Sequence, residues 1–256
     1  MVTPPVPGAG PLPIPGPAIE DRGVSRHESI LAPRWSARGL VKVARDATVG
    51  DADLRGTVAV GGSLTASTLY LDGRLEVDGS VEVQGPARAR GELRAGRVVR
   101  AAELDLRGRL DAAESIVSGG RVAVVGALRS RSVAAREAVV DGFVEVPGTV
   151  AAGRIELALT DGSRLGALEA EEVRLSGPRP SLVGRVLGHA HEVRVGRVEA
   201  ARAHLEGVEV AFVRAREITL GPDGHVAIVE GTIVARHPSS HVGPESRTPP
   251  PYGLRR

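Results

Sequence analysis

The chain has 256 residues, is 42% hydrophobic but only 2% aromatic, and carries 33 basic against 31 acidic side chains. A wide globular core recruits Phe and Trp, so a core of Val, Leu, Ile and Ala points to thin stacked layers, and the near balance of interspersed charge leaves no electrostatic footprint for nucleic acid. The lack of cysteine removes disulfide frameworks and thiolate metal sites, no stretch reaches the roughly 18 apolar residues of a spanning helix, and Met1-Val2-Thr3-Pro4-Pro5 lacks a charged and then apolar leader, so a soluble cytoplasmic protein is expected.

Residues 1–38 carry eight prolines, at 4, 5, 7, 11, 13, 15, 17 and 33. Proline lacks an N–H and favours extended chain, so this segment is expected to be a disordered tail. Val6, Leu12 and Ile14 are its candidates for weak apolar contact with a membrane or a partner protein. Trp35 stands where the tail meets the first strand and is expected to act as a lid over the first layer.

Ordered structure is expected over residues 39–236, beginning near Leu40-Val41-Lys42-Val43. Apolar and polar residues alternate over four to six positions and then break at glycine, the pattern of short half-buried strands. The phrase glycine, any residue, then Val or Leu returns at Gly56, Gly73, Gly91, Gly108, Gly126 and Gly142, with steps of 17, 18, 17, 18 and 16 residues. A period that regular predicts a solenoid. Glycines also fall six apart at Gly73, Gly79, Gly85 and Gly91, so each repeat reads as one coil of a triangular β-helix with three faces and three corners. A second phrase, Ala-x-x-apolar-x-apolar-x-Gly, runs through Ala66 to Gly73 and Ala101 to Gly108 and again through Ala170 to Gly177. It places Leu69 and Leu71 inward and Tyr70 and Asp72 outward.

Beyond Gly148 the rhythm loosens. Gly177-Pro178-Arg179-Pro180 predicts an excursion or a boundary within 177–190, because proline is excluded from a central ladder. The strand pattern resumes at Glu192 and continues to Val234. Pro238, Pro244, Pro249, Pro250 and Pro251 mark residues 237–256 as a second disordered tail.

No chemistry-bearing constellation emerges. His189, His191 and His204 stand without cysteines or a carboxylate cluster and read as surface residues. Glu171 and Glu172 are adjacent, hence on opposite strand faces, which disfavours an acid–base pair. Lys42 is the sole lysine and no phosphate-binding loop precedes it. No catalytic, cofactor or metal residues are assigned, and the chain is not expected to be an enzyme. The alternative is a hexapeptide-repeat β-helix acyltransferase, whose six-residue register Val77-Asp78-Gly79-Ser80-Val81 fits only loosely.

The phrases Leu69-Tyr70-Leu71-Asp72-Gly73-Arg74-Leu75-Glu76-Val77 and Leu104-Asp105-Leu106-Arg107-Gly108-Arg109-Leu110, within a cysteine-free helix flanked by proline-rich tails, resemble the bactofilin family of bacterial polymer-forming cytoskeletal proteins. The resemblance covers roughly residues 40 to 236. It implies a right-handed parallel β-helix that polymerises end to end without nucleotide and is often held at a membrane through a tail. This chain departs from the family by its length and by the interruption near Pro178 and Pro180.

A β-helix exposes an unpaired strand edge at each end, and such edges are either capped or paired with another copy. The expected end surfaces are Leu40, Val41 and Val43 at one end and Phe212, Ile218, Leu220, Ile228 and Val229 at the other. If Val144 points inward, Phe143 points outward and is a candidate for lateral contact. The expected partner is a second copy of the chain.

Overall fold

A computed structural model describes residues 14, 16–178 and 193–243. The described residues contain strands and no helix. The strands are β1 (Ile19–His27), β2 (Ile30–Val43), β3 (Ala47–Val60), β4 (Leu64–Val77), β5 (Val81–Ala95), β6 (Val98–Ser118) and β7 (Arg121–Ala134), followed by β8 (Glu137–Ala151), β9 (Arg154–Leu159), β10 (Arg164–Ser176), β11 (Arg194–Glu206), β12 (Glu209–Leu220), β13 (His225–Arg236) and β14 (His241–Val242). Each pairs with the next in one sheet, and every pairing is parallel. The expected all-β parallel solenoid is therefore the fold.

One layer shows how the sequence makes it. In β3 the buried residues come in three pairs, Ala47 and Val49, Ala52 and Leu54, Val58 and Val60, and the chain bends between pairs at Gly50-Asp51 and at Arg55-Gly56-Thr57. Three inward pairs make three short faces, the expected triangle. The pairs then stack. Leu54, Leu71, Ala89, Leu106, Val124 and Val140 succeed one another in register, and the column continues through Leu157, Leu175 and Leu205 to Leu220. Layers about 4.8 Å apart bury each aliphatic chain between two like neighbours. Each such burial contributes roughly 1.5–3 kcal/mol, while a single layer buries too little to stand alone.

The glycines of the repeat are stacked as well. Gly23, Gly39, Gly56, Gly73, Gly91, Gly108, Gly126 and Gly142 pair in register from β1 to β8. All have φ between +78° and +139°, a region that residues with a Cβ rarely enter. This column is one corner of the prism.

The same corner explains the loosened rhythm beyond Gly148. From β9 onward the single glycine gives way to a turn. Thr160 to Ser163 forms the first, and a second at Gly221 to Gly224 has its Asp223 at φ 53°. Ser163 is fully buried there, its Oγ accepting from Val144 N–H at 3.1 Å and donating to Thr160 O at 2.7 Å. Residues 179–192, with His189 and His191, lie outside the described residues. β10 and β11 on either side of them remain paired from Arg164↔Arg194 to Ser176↔Glu206. The expected interruption is thus spanned by an unbroken ladder, and the coils on both sides belong to one sheet.

Two boundaries differ from expectation. Residues 19–38, assigned to the N-terminal tail, lie largely in β1 and β2. The proline argument fails because Pro33 sits at a corner: Ala32 pairs Val49 and Arg34 pairs Asp51, and Pro33 itself occupies no ladder position. A missing N–H costs nothing where the ladder is already broken. At the other end, His241 and Val242 extend the ladder past residue 237 by pairing with His225 and Val226. Residues 1–13, 15 and 244–256 of the two tails are outside the described set.

Candidate assembly surfaces

At the N-terminal end, β1 lies over β2 and its inward positions are filled differently from every layer below. Ile19 stands over Trp35, Asp21 over Ala37, Ser25 over Val41 and His27 over Val43. Polar groups thus replace aliphatic ones. Trp35 is wholly buried and its indole Nε1–H donates to Asp21 Oδ2 at 2.9 Å. His27 Nε2 lies 2.9 Å from the other carboxylate oxygen. The tryptophan is therefore part of the second layer, and the layer above it holds Asp21, hydrogen-bonded to Trp35 and His27. A terminal layer with a polar outer face is the usual cap of a solenoid.

This cap corrects one predicted end surface. Val41 and Val43 are buried core residues between β1 and β3, and only Leu40 is exposed, at 37%. The proline pattern places the layer above them in the tail, and that puts them at an end.

The cap titrates on the acid side. Burial pushes the Asp21 carboxyl up, but hydrogen bonds from Trp35, His27 and Ser25 outweigh it and hold the group below its ordinary value. A carboxyl lowered in the folded chain stabilises fully above its unfolded value of about 3.9, and that contribution is lost as pH falls through the folded value. The native chain is expected to lose melting temperature between about pH 5 and pH 2 more steeply than Asp21→Asn, as followed by circular dichroism. Parallel slopes would show that the carboxylate charge contributes nothing to the cap.

The C-terminal end is built otherwise. β14 covers β13 only at His225 and Val226, so Val229 to Arg236 has no strand beyond it among the described residues. Its inward positions continue the core columns, with Val229 on Val213 and Ile233 on Ile218. Ile233 is 37% exposed and its neighbours Ile228 and Val234 are 57% and 56% exposed. Of the predicted residues, Ile228 and Val229 lie on this open layer. Ile218 and Leu220 are buried one layer in, and Phe212 packs at a corner with Arg197 and Arg214 over its ring, 5.2 and 5.7 Å from the centroid. Ile233 and Val234 were missed. The signal was present, since Ile233 falls one coil after Ile218.

Phe143 does point outward, with Val144 buried beneath it. Its ring is half-buried under the Arg129 guanidinium, 5.2 Å from the centroid. It ends a face on which charges alternate in both directions: Arg74 and Glu76 in one layer, Glu92 and Arg94 in the next, Arg109 and Asp111 in the third. Arg74 Nη2 meets Glu76 Oε1 at 2.6 Å, Arg94 Nη2 meets Glu92 Oε1 at 2.6 Å, and Arg109 Nε meets Asp111 Oδ2 at 2.7 Å. The Arg74 hydrogen bond holds the Glu76 carboxyl below its usual value. Such a network neutralises itself, so this face offers little unbalanced charge to a partner.

The remaining candidates are dispersed. His204 is 45% exposed and stands 4.0 Å from Glu206. Glu171 and Glu172 sit at a corner, the latter paired with Arg174 at 2.9 Å. Among the described residues no three His, Asp or Glu side chains are grouped to hold a metal, and no helix is long and apolar enough to cross a membrane. The chain matches no family model, no curated protein and no solved structure. The assembly surfaces therefore rest on their own geometry, and among the described residues the layer of Val229 and Ile233 continues the core columns with no strand beyond it.

Proposed function

We propose that this chain is a structural scaffold, a rod that assembles end to end without nucleotide, as its bactofilin-like repeats imply. The observation that carries the reading is the open C-terminal layer. Among the described residues its backbone edge is unpaired and nothing lies above the core columns that end at Val229 and Ile233. Another copy supplies a further strand edge, either from its own open layer, which also brings apolar cover, or from β1, whose outer edge pairs with no strand among the described residues. The continuous ladder and uniform layers supply the stiffness that a scaffold needs.

The reading is tested with purified, nucleotide-free protein by sedimentation velocity and negative-stain electron microscopy over a concentration series. Rods longer than one chain, growing with concentration, are expected. A species that stays monomeric at high concentration overturns it.

A further inference from the structure

The glycine corner carries a row of arginines on one side. Immediately before each stacked glycine come Arg22, Arg38, Arg55, Asp72, Arg90 and Arg107, in six successive layers and in register. At about 4.8 Å per layer the row is roughly 24 Å long. The charged face across the corner is self-neutralised, with every arginine of its network against a carboxylate. This row is not. Arg55 pairs with Asp53 at 3.1 Å and Arg22 with Glu20 at 3.6 Å, both in the open. Arg38, Arg90 and Arg107, and Arg88 beside them, are exposed and make no ion pair or hydrogen bond among the described residues.

On the other side of the same corner the first two layers present Val24 and Leu40, 75% and 37% exposed. They follow Gly23 and Gly39 directly, so each layer shows an arginine and an apolar side chain across one bend. On the arginine side Tyr70, in register between Asp53 and Arg88, is 37% exposed with the Arg55 guanidinium 5.8 Å from its ring centroid and adds an amphipathic side chain.

We propose that this edge docks the rod lengthwise on an anionic lipid bilayer. The arginines meet headgroup phosphates as charge-assisted, two-pronged donors, and Val24 and Leu40 enter the boundary between headgroups and acyl chains. The apolar pair favours a bilayer over a nucleic acid, whose phosphodiester backbone has nothing to receive exposed aliphatic groups. A straight edge also suits a plane. The docking needs no assembly, although end-to-end stacking would add further rows to the same surface.

The test is co-sedimentation of the full chain with vesicles of phosphatidylcholine alone or mixed roughly three to one with phosphatidylserine, where each surface arginine adds about fivefold to partitioning. Binding is expected only to the anionic vesicles and weakened by salt. The triple change Arg38→Glu, Arg90→Glu and Arg107→Glu should reduce it by on the order of a hundredfold or more. A charge-matched control, Arg100→Glu, Arg121→Glu and Arg154→Glu, removes arginines that lie away from this edge beside Glu82, Glu137 and Glu156. The control should bind as the native chain does, and circular dichroism should show both triples folded. Equal losses in the two triples, equal binding to neutral vesicles, no vesicle binding, or retention of duplex DNA in place of vesicles would each overturn the proposal.

Discussion

Gly108→Val is expected to destabilise the solenoid by at least about 4 kcal/mol, against a change within about 0.5 kcal/mol for Arg107→Ala next to it. Two effects add at the glycine. Its φ of +133° is one that a β-branched residue reaches only with strain of about 1–3 kcal/mol. A Cβ there would also lie 2.0 Å from the Gly91 carbonyl oxygen and 2.9 Å from its carbon, both backbone atoms of the layer below. Backbone has no rotamer to move into, so the two layers must separate and the ladder between β5 and β6 must open. Arg107 is exposed and makes no hydrogen bond or ion pair among the described residues. Because each layer touches only its neighbours, the damage should be local. Hydrogen exchange is expected to accelerate most between residues 87 and 126, and the melt should split or shift far down. A melting temperature within a few degrees of the native value would show that the corner tolerates a side chain and that the glycine column is not what fixes the coil.

The glycine rhythm was legible in the sequence for this same reason. A hard steric constraint repeated in every layer leaves the same residue at the same interval, and the alternation of Leu69, Leu71, Leu75 and Val77 follows from burial on one side. What was not legible had softer causes. Proline at a corner looks the same in sequence as proline in a tail, so Pro33 drew the boundary nearly twenty residues late. The capping layer is inward-facing yet polar, so Asp21, Ser25 and His27 give no hydrophobic signal, and their partnership with Trp35 exists only once the coil has closed. Val41 and Val43 were consequently placed at an end when they are core. Beyond Gly142 the corner is made by turns of differing length, and a fixed period cannot register them although β10 and β11, separated in sequence by residues 177–193, stay paired. At the far end the pattern identified Ile228 and Val229 but assigned Ile218 and Leu220 to the surface one coil early, because alternation reports which side faces inward and not which layer is last.

Which layer is last decides the second expected result. Val229→Glu with Ile233→Glu should abolish assembly while the coil stays folded. Both positions already lie on the open layer, Ile233 at 37% exposure, so the substitutions place charge where water has access and the melting temperature should fall by little. The effect on association should be large because the contact is small. A triangle with sides of about 17 Å, five or so residues of strand, covers well under the roughly 800 Å² per partner of a standard interface. Apolar burial alone at about 25 cal/mol per Å² does not hold two such ends against the cost of association. The ladder must continue across the junction, with backbone bonds worth about 0.5–1.5 kcal/mol each, and it can do so only if the inward columns beneath stay dry. Two carboxylates on Val213 and Ile218 would bring water into that junction and set like charges there against any approaching copy. Sedimentation velocity is expected to show the double variant as a monomer at concentrations where the native chain forms rods. Phe212→Arg, one layer in and already between two arginines, should instead leave assembly nearly unchanged, and the reverse ranking of these variants would move the contact away from the open layer.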